Sequence, residues 1–184
     1  TFRRRKVGDG MDNDLMLLES IGQGCTESYC ELYQRYKDRI HRFAHSRIRD
    51  CDVASDILQE TFLTVWKTAR NFAGGSAVST WLFGIAVNKV REERRRRGPD
   101  ALPLTAASTI LIAPDFTTSS DMRLTVLGAV QSLPEEQQEV VLLAYYARLP
   151  YLDIAAIQNV PVGTVKSRMS LAKKTMLSTL QRGM

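Results

Sequence analysis

Two helical patterns that meet at Asn159-Val160-Pro161 constrain the fold more than any other feature of the chain. On both sides of this junction, apolar residues recur at the steps expected for one face of a helix. They are Leu152, Ile154, Ala155 and Ile157 before the junction, and Val162, Val165, Met169, Ala172 and Met176 after it. Two helices joined by so short a turn predict a helix-turn-helix, in which the second helix enters the major groove of DNA.

The second of these helices has an opposite face that is polar, cationic and without carboxylates. Its residues are Thr164, Lys166, Ser167, Arg168, Ser170, Lys173 and Lys174. Lysine and arginine suit phosphates and guanine edges, and serine and threonine hydrogen-bond to either. The alternative is an ordinary helical hairpin whose basic face is only solvated, since short motifs often match by chance.

The rest of the chain predicts an all-α protein, because no strand pattern interrupts its helical periodicities. With 184 residues, of which 44% are hydrophobic, the chain can form two small domains. Residues 98–120 contain Pro99, Pro103 and Pro114 and predict a flexible linker, although several leucines and isoleucines make it more apolar than a solvated tether. We therefore expect helical domains over residues 12–97 and 121–184. Residues 1–11 are interpreted as a leader, with Met11 as a candidate native start and the residues before it as a remnant of expression.

Each predicted helix start depends on a capping residue. The expected caps are Asp12, Thr26, Asp52 and either Ser76 or Ser79. Further helices are expected from Asp121 and from Pro134, because a proline followed by two glutamates favours a helix start. The second predicted helix has a broad apolar face that includes Tyr29 and Tyr33, and we interpret this face as core.

Positive charge is concentrated in two places. The chain carries 25 basic and 20 acidic residues, a net charge of +5, but residues 1–10 supply four of the basic residues and one of the acidic ones. Without that segment the net charge is +2; residues 91–97 contribute +3 and residues 166–182 contribute +5, so the remainder sums to −6. Two cationic segments on an otherwise acidic protein indicate two contacts with a polyanion.

Several classes of protein are excluded by what the sequence lacks. No apolar run is long enough to span a bilayer and no secretory signal is recognisable, so we expect a cytoplasmic protein without direct membrane insertion. Cys25, Cys30 and Cys51 have neither zinc-site spacing nor an even count, which predicts reduced, half-buried thiols. His41 and His45 have a spacing that can bind metal, but no further ligand is placed beside them, so no metal or other cofactor is expected. No nucleophile or general acid stands out, which predicts that the protein is not an enzyme.

The third predicted helix carries an acidic stripe with an apolar residue in it. The stripe consists of Asp56, Gln59, Glu60, Leu63 and Lys67 at helical steps. Such a stripe is either a solvated face or a docking surface for a basic groove.

The segment after the third helix combines aromatic and cationic residues. Two glycines break the helical pattern after Phe72, and the helix that follows ends in a run of arginines. Phe72 and Trp81 beside Asn88, Lys89 and Arg91 offer stacking surfaces next to cations, the combination that binds single-stranded nucleic acid. The alternative is that Trp81 belongs to the core and the arginines are solvated.

Three segments now stand in a familiar order. They are Asp56-Ile-Leu-Gln-Glu-Thr-Phe-Leu-Thr-Val-Trp, then Ser79-Thr-Trp-Leu-Phe-Gly-Ile-Ala-Val-Asn, then Leu133-Pro-Glu-Glu-Gln-Gln with Val160-Pro-Val-Gly-Thr-Val-Lys-Ser-Arg. Over residues 12–97 and 121–181 the chain resembles regions 2 and 4 of the extracytoplasmic-function sigma factors of bacterial RNA polymerase. One such motif is weak evidence, but three in this order around a proline-rich linker are specific.

The resemblance implies a sigma factor that binds core RNA polymerase and directs it to promoter DNA. The residues implied to bind the clamp helices of the largest polymerase subunit are Asp56, Gln59, Glu60 and Leu63. Those implied to melt the minus-10 element and hold a flipped base are Phe72, Ser76, Thr80, Trp81, Asn88, Lys89 and Arg91. Those implied to read the minus-35 element are Thr164, Lys166, Ser167, Arg168, Ser170 and Lys173. The resemblance also implies control by an anti-sigma factor that covers these faces.

The chain departs from the family pattern in two places. Leu171 stands where the family often has an arginine, which puts one contact with DNA in doubt, and the residues from Tyr145 to Tyr151 replace a more acidic, glycine-containing segment. Two other functions stay open: a sigma mimic that titrates an anti-sigma factor, and a plain helix-turn-helix repressor. The cationic face from Lys166 to Lys174 argues against the mimic, and the repressor leaves the acidic stripe unexplained.

Overall fold

The structure is a computed structural model that describes residues 9–98, 126 and 128–182, with side chains described over 13–98, 126 and 128–181. The helices are α1 (Asp9–Gly22), α2 (Thr26–Ile48), α3 (Cys51–Thr68), α4 (Val78–Arg97), α5 (Glu135–Tyr145), α6 (Tyr151–Gln158) and α7 (Val162–Arg182). A 3-10 turn, Ala69–Asn71, follows α3, and residues 126 and 128–131 are also helical. Within the described ranges there is no strand, and the all-α prediction is confirmed.

The chain divides into two compact units, Thr1–Pro103 and Leu104–Met184. The first contains α1 to α4 and the second contains α5 to α7. Residues 1–8 of the predicted leader, residues 99–120 of the predicted linker and the helix start predicted at Asp121 lie outside the described residues. In the parts of the chain that the structure covers, no helix is both long enough and apolar enough to cross a membrane.

The first unit is a bundle in which α2 packs against α1, α3 and α4. Its periodic apolar residues meet at the centre, where Ile40 and Phe43 of α2 are buried with Phe62 of α3 and Phe83 of α4. The rings of Phe43 and Phe83 contact edge to face with centroids 6.1 Å apart, a favoured aromatic geometry. Burying such side chains stabilises the fold by about 1.5–3 kcal/mol each. This core fixes which faces of α3 and α4 remain exposed.

A buried carboxylate joins α1 to α2. Asp14 accepts hydrogen bonds from the Tyr36 hydroxyl and from the Arg35 guanidinium. Burial, followed by the hydrogen bond to Asp14, raises the pKa of Tyr36 above its usual range. The hydroxyl therefore stays protonated and continues to donate to the carboxylate.

The cap of α3 lies two residues before the predicted one. The Asp50 carboxylate accepts hydrogen bonds from the backbone N–H groups of Asp52 and Val53 at 3.1 and 3.2 Å. Hydrogen bonds from the Val53 N–H and then from Arg97 lower the pKa of Asp50. Asp52 lies instead in the first turn of α3, where its negative charge interacts favourably with the positive end of the helix dipole.

The other predicted caps are also wrong. The residues that precede α2 and α4 are Cys25 and Ala77, not Thr26 and not Ser76 or Ser79. Neither makes a side-chain cap. α1 begins at Asp9, one turn before the predicted start at Asp12.

The second unit is built around α7, against which both α5 and α6 pack. Its buried apolar residues include Val140, Leu143, Ile154, Val165, Met169 and Ala172. Pro134 and Pro150 immediately precede α5 and α6 rather than occupying their first helical positions. Leu152, predicted on the apolar face, is 54% exposed, because at 100° per residue it lies on the opposite side of α6 from Ile154. Val162, at the first position of α7, is also exposed.

A left-handed residue forms the turn between α6 and α7. Asn159 has φ 54° and ψ 49°, a conformation that asparagine tolerates better than most residues. Its N–H donates to the Ala156 carbonyl, and the N–H of Val160 donates to the Ala155 carbonyl. These two bonds form a Schellman motif. The turn brings the end of α6 beside α7 and confirms the predicted helix-turn-helix.

Candidate functional site

The acidic face of α3 forms one wall of a groove between α2, α3 and α4. Asp56, Gln59 and Glu60 are exposed, and Leu63 is 49% exposed. All four line the groove, which has a volume of about 640 Å³. An exposed leucine among carboxylates suits a partner surface that offers both apolar and basic groups.

Tyrosines of α2 form an aromatic side of this groove that sequence analysis assigned to the core. Tyr29 and Tyr33 are only half-buried and line the groove together with Phe62. The ring of Tyr29 contacts Trp66 at 5.3 Å between centroids, and the ring of Tyr33 contacts Phe62 at 4.8 Å. Burial, followed by the neighbouring Tyr33, raises the pKa of Tyr29. The signal in the sequence was the breadth of the apolar face of α2, which exceeds a single core stripe.

The loop between α3 and α4 presents the predicted stacking residues. Phe72 and Trp81 are half-buried, and their ring centroids lie 5.2 Å apart at an angle of 56°. Between them, Gly74 has φ 71°, which favours glycine, and Ser76 is exposed. A second groove, of about 430 Å³, lies between this loop and α1 and is lined in part by Phe72 and Gly74. The loop therefore offers aromatic surface beside a cavity.

Thr80 does not belong to this surface. Its side chain is only 4% exposed, because it lies on the same face of α4 as Phe83 and Val87, three and seven residues further on, which are fully buried. The structure thus contradicts the prediction of a side-chain contact between Thr80 and DNA.

The ion pair between Lys89 and Glu60 joins two surfaces that the sequence assigns to separate partners. Lys89 Nζ lies 3.0 Å from Glu60 Oε2, and the side chains are 29% and 59% exposed. On either side of Lys89 in α4, Asn88 is exposed and Arg91 is half-buried. Because the pair is largely solvated, it is worth about 0–1 kcal/mol. Both groups can therefore exchange one partner for another at little cost.

Part of the arginine run at the end of α4 is used within the protein. Glu93 accepts from Arg97 at 2.7 Å and pairs with Arg96 at 2.7 Å, and Arg97 also reaches Asp50 at 3.0 Å. Partial burial opposes ionisation of Glu93, but hydrogen bonds from Arg97 and Arg96 outweigh it and lower the pKa of Glu93. The run thus ties α4 to the cap of α3 in addition to supplying positive charge.

The outer face of α7 presents most of the predicted minus-35 residues to solvent. Lys166, Ser167, Ser170 and Lys173 are exposed, while Thr164 and Arg168 are half-buried. The Ser167 hydroxyl donates back to a backbone carbonyl one turn earlier, at 3.0 Å. No carboxylate occurs in α7. This face is therefore suited to a polyanion.

Arg168 differs from the rest of this face because it contacts the end of α6. Its guanidinium donates to Gln158 Oε1 at 2.8 Å. The amide nitrogen of Gln158 donates to Glu139 Oε1 at 3.1 Å and to the Glu136 carbonyl at 3.3 Å. Helical spacing in the sequence carries no signal for Gln158, because this contact crosses the turn between two helices.

The cysteine and histidine residues form no recognisable metal centre. His41 Nε2 lies 3.9 Å from Cys51 Sγ, but over the described ranges no group of three or more histidine, cysteine or acidic residues is placed to hold a metal ion. All three cysteines are free thiols. Cys30 and Cys51 are exposed and only Cys25 is half-buried, so the prediction of three half-buried thiols is wrong.

Comparison with known proteins points to one family. The family model described as Sigma-70 region 2 matches residues 32–99, and the one described as Sigma-70, region 4 matches residues 123–176. The RNA polymerase sigma-H factor of Pseudomonas aeruginosa is 29% identical over 184 residues, which cover 92% of this chain and 95% of the relative. The ECF RNA polymerase sigma-E factor of Escherichia coli K12 is 30% identical over 181 residues, which cover 91% and 94%.

Solved structures show the same similarity. The sigma factor RpoE of Bartonella quintana, solved in complex with the anti-sigma factor NepR, has a TM-score of 0.62 at 27% identity and matches over 95% of this chain and 98% of its own. CnrH, solved with the cytosolic domain of CnrY, has a TM-score of 0.72 at 20% identity over 92% and 98%, and shares the fold. The chain therefore belongs to the extracytoplasmic-function sigma factors of the sigma-70 family. These are transcription initiation factors and not enzymes.

Proposed function

We propose that this sigma factor binds core RNA polymerase through the groove beside α3 and reads promoters through one DNA surface in each unit. Residues 12–97 carry polymerase and minus-10 binding, residues 98–120 connect the units, and residues 121–184 carry minus-35 binding. The observation that carries the proposal is Leu63, exposed among Asp56, Gln59 and Glu60 in that groove. A repressor that binds DNA alone has no use for such a surface. Because its partner is RNA polymerase, the protein acts in the cytoplasm.

The clamp helices of the largest polymerase subunit are the proposed occupant of the groove. The acidic wall attracts basic groups on the partner, and Leu63 gains apolar contact when water leaves the groove. Tyr29 and Tyr33 extend this contact on the side of α2. Charged groups at the rim set the rate and specificity of such an encounter, while buried apolar anchors contribute most of the affinity.

The minus-10 element binds the loop between α3 and α4 in this proposal. Phe72 and Trp81 provide faces on which bases of the displaced strand stack, each worth about 1–3 kcal/mol. Ser76 and Asn88 are exposed and provide hydrogen-bonding groups, and Lys89 and Arg91 provide positive charge. Stacking and charge together offset the few kcal/mol needed to unstack a base.

The minus-35 element binds the outer face of α7 in this proposal. Lys166, Ser167, Arg168 and Ser170 read base edges, while Lys173 and Thr164 contact the backbone. Each well-placed base contact is worth about 1–3 kcal/mol of discrimination. Contacts to phosphate make binding dependent on salt but not on sequence.

Transcription in vitro tests the proposal directly. The full chain is added to core RNA polymerase on a pooled library of upstream genomic regions, and start sites are sequenced. Discrete starts that share two spaced motifs support the proposal. No starts, together with tight binding to core polymerase, would instead favour a sigma mimic that titrates an anti-sigma factor.

We also propose that an anti-sigma factor controls this protein. Support comes from the solved complex of RpoE with NepR, whose sigma factor matches nearly the whole of this chain. Binding of the chain to core polymerase is then weaker in extract of its own cells than after purification. Equal binding in the two preparations would contradict this control.

A further inference from the structure

We propose that Gln158 is a positioning residue for minus-35 recognition, because it holds the guanidinium of Arg168 at the edge of the DNA-binding face. The inference rests on the proposed role of α7 in reading the minus-35 element. It concerns a residue of α6 that is not itself on the DNA-binding face.

The two ends of the Gln158 amide make hydrogen bonds of opposite direction: one end accepts and the other donates. Its oxygen accepts from Arg168 at 2.8 Å, and its nitrogen donates to Glu139 at 3.1 Å. A carboxylate cannot replace the donor, and an amine cannot replace the acceptor. The glutamine therefore links an acidic side chain to a cationic one through its two ends.

Glu139 anchors the other end of this link. It is only 3% exposed, and a buried carboxylate retains its partners because an unsatisfied one is costly. The second bond, from the Gln158 nitrogen to the Glu136 carbonyl at 3.3 Å, ties the amide to the backbone of α5 as well. The amide oxygen is thus held in one orientation toward Arg168.

The backbone places Gln158 where it can do this. Gln158 is the last residue of α6, immediately before left-handed Asn159 and the Schellman turn. The carbonyl end of a helix favours a cation, so the end of α6 adds to the attraction for the guanidinium. Arg168 lies on the second turn of α7, half-buried beside exposed Lys166 and Ser167.

The consequence is a pre-ordered arginine. An arginine loses much rotamer freedom when it is fixed on binding, and one that is already fixed avoids that loss. Only one guanidinium nitrogen is used in the bond to Gln158, which leaves donors of the planar fork for DNA. Lys166 and Lys173 have no such anchor among the contacts that the structure describes for α6.

The test measures equilibrium binding of holoenzyme to a promoter selected from the pooled library. Gln158→Met keeps the length of the side chain and removes all three hydrogen bonds of the amide. We expect its affinity to fall about two- to tenfold, the effect of losing the order of one long side chain. The loss should vanish on a fragment with a scrambled minus-35 element, and it should vanish in an Arg168→Ala background. Leu152→Ala, an exposed substitution on the same helix, is the matched control.

A second readout needs no DNA. Relaxation of the Arg168 Nε–H group in the free protein should show an ordered side chain in the wild type and a mobile one in Gln158→Met. Gln158→Ala also removes the acceptor for Arg168, so it should show the same mobile side chain and replaces the methionine variant if that variant folds poorly.

The outcomes separate this inference from the proposed function. Wild-type affinity or wild-type order of Arg168 in Gln158→Met would overturn the positioning role, as would an equal loss in the Arg168→Ala background. Wild-type affinity in Arg168→Ala would instead overturn the assignment of Arg168 itself, and with it any role of Gln158 in specificity.

Discussion

At the scale of single residues, Asp14 links α1 to α2. It is buried and accepts hydrogen bonds from Arg35 and Tyr36 of α2. Asp14→Ala leaves the Tyr36 hydroxyl without this acceptor and removes one of the carboxylates that Arg35 contacts, the other being Glu31. We expect the free energy of unfolding to fall by about 1.5–3 kcal/mol, the range for bonds to a charged group. Urea denaturation measures the change. Asn13→Ala, at the exposed position before it, is the control, and an equal loss in both variants would contradict this explanation.

Glu60 illustrates a residue whose role in binding exceeds its role in folding. Its pair with Lys89 is mostly solvated, so Glu60→Ala should change the free energy of unfolding by less than about 1 kcal/mol. Binding to core polymerase should nevertheless weaken, because the acidic wall of the groove loses a charge. Titration of labelled protein with core enzyme measures this, with Asp38→Ala, an exposed acid outside the groove lining, as control. A normal core affinity in Glu60→Ala would remove Glu60 from the proposed interface.

At the scale of helices, the N-cap of α3 can be tested against a second aspartate two residues further on. Asp50 caps the helix and Asp52 does not, so Asp50→Ala should lower the free energy of unfolding by about 0.5–2 kcal/mol. Asp52→Ala should have a smaller effect. The pKa of Asp50 is lowered in the folded protein, so its stabilisation is present above the unfolded value of about 4 and is lost as the pH falls through the folded value. Urea titrations at several pH values should therefore show the free energies of unfolding of the wild type and Asp50→Ala converging in acid. A difference between them that stays constant with pH would contradict the cap.

Helix α7 offers a test of how its lysines bind DNA. If Lys173 contacts a phosphate, Lys173→Ala reduces the slope of log affinity against log salt by about 0.9, since one fewer counterion is released. Ser170→Ala, on the same exposed face, should leave that slope unchanged. Promoter binding by holoenzyme at several salt concentrations gives both slopes. An unchanged slope in Lys173→Ala would exclude a phosphate contact there.

Helical periodicity in the sequence predicted these elements because it reports which residues share a face. It placed the helix-turn-helix and the exposed leucine of α3 correctly, since both follow from spacing along one helix. It did not find the cap at Asp50, because two aspartates near the same helix start differ only in backbone conformation. It also missed Thr80 as a buried residue and Gln158 as a partner of Arg168. Burial at a helix start and contacts across a turn depend on how helices pack, which spacing alone does not encode.

At the scale of the whole molecule, two kinds of variant should fail in different ways. Glu60→Ala weakens assembly with core polymerase, an equilibrium that a higher concentration of the protein restores by mass action. Lys166→Ala leaves assembly intact but weakens contact of the finished holoenzyme with the minus-35 element, and excess protein cannot restore that.

Transcription from one selected promoter, measured while the concentration of each variant rises at fixed core polymerase, separates these two cases. Glu60→Ala should reach the wild-type plateau at a higher concentration. Lys166→Ala should saturate at the wild-type concentration with a lower plateau when promoter is limiting, because each lost base contact weakens DNA binding by about 1–3 kcal/mol. Since the two residues lie in different compact units, the double variant should show both defects, shifted concentration and lowered plateau, independently. If excess protein restored Lys166→Ala as well, α7 would have to act in polymerase assembly and not in reading DNA.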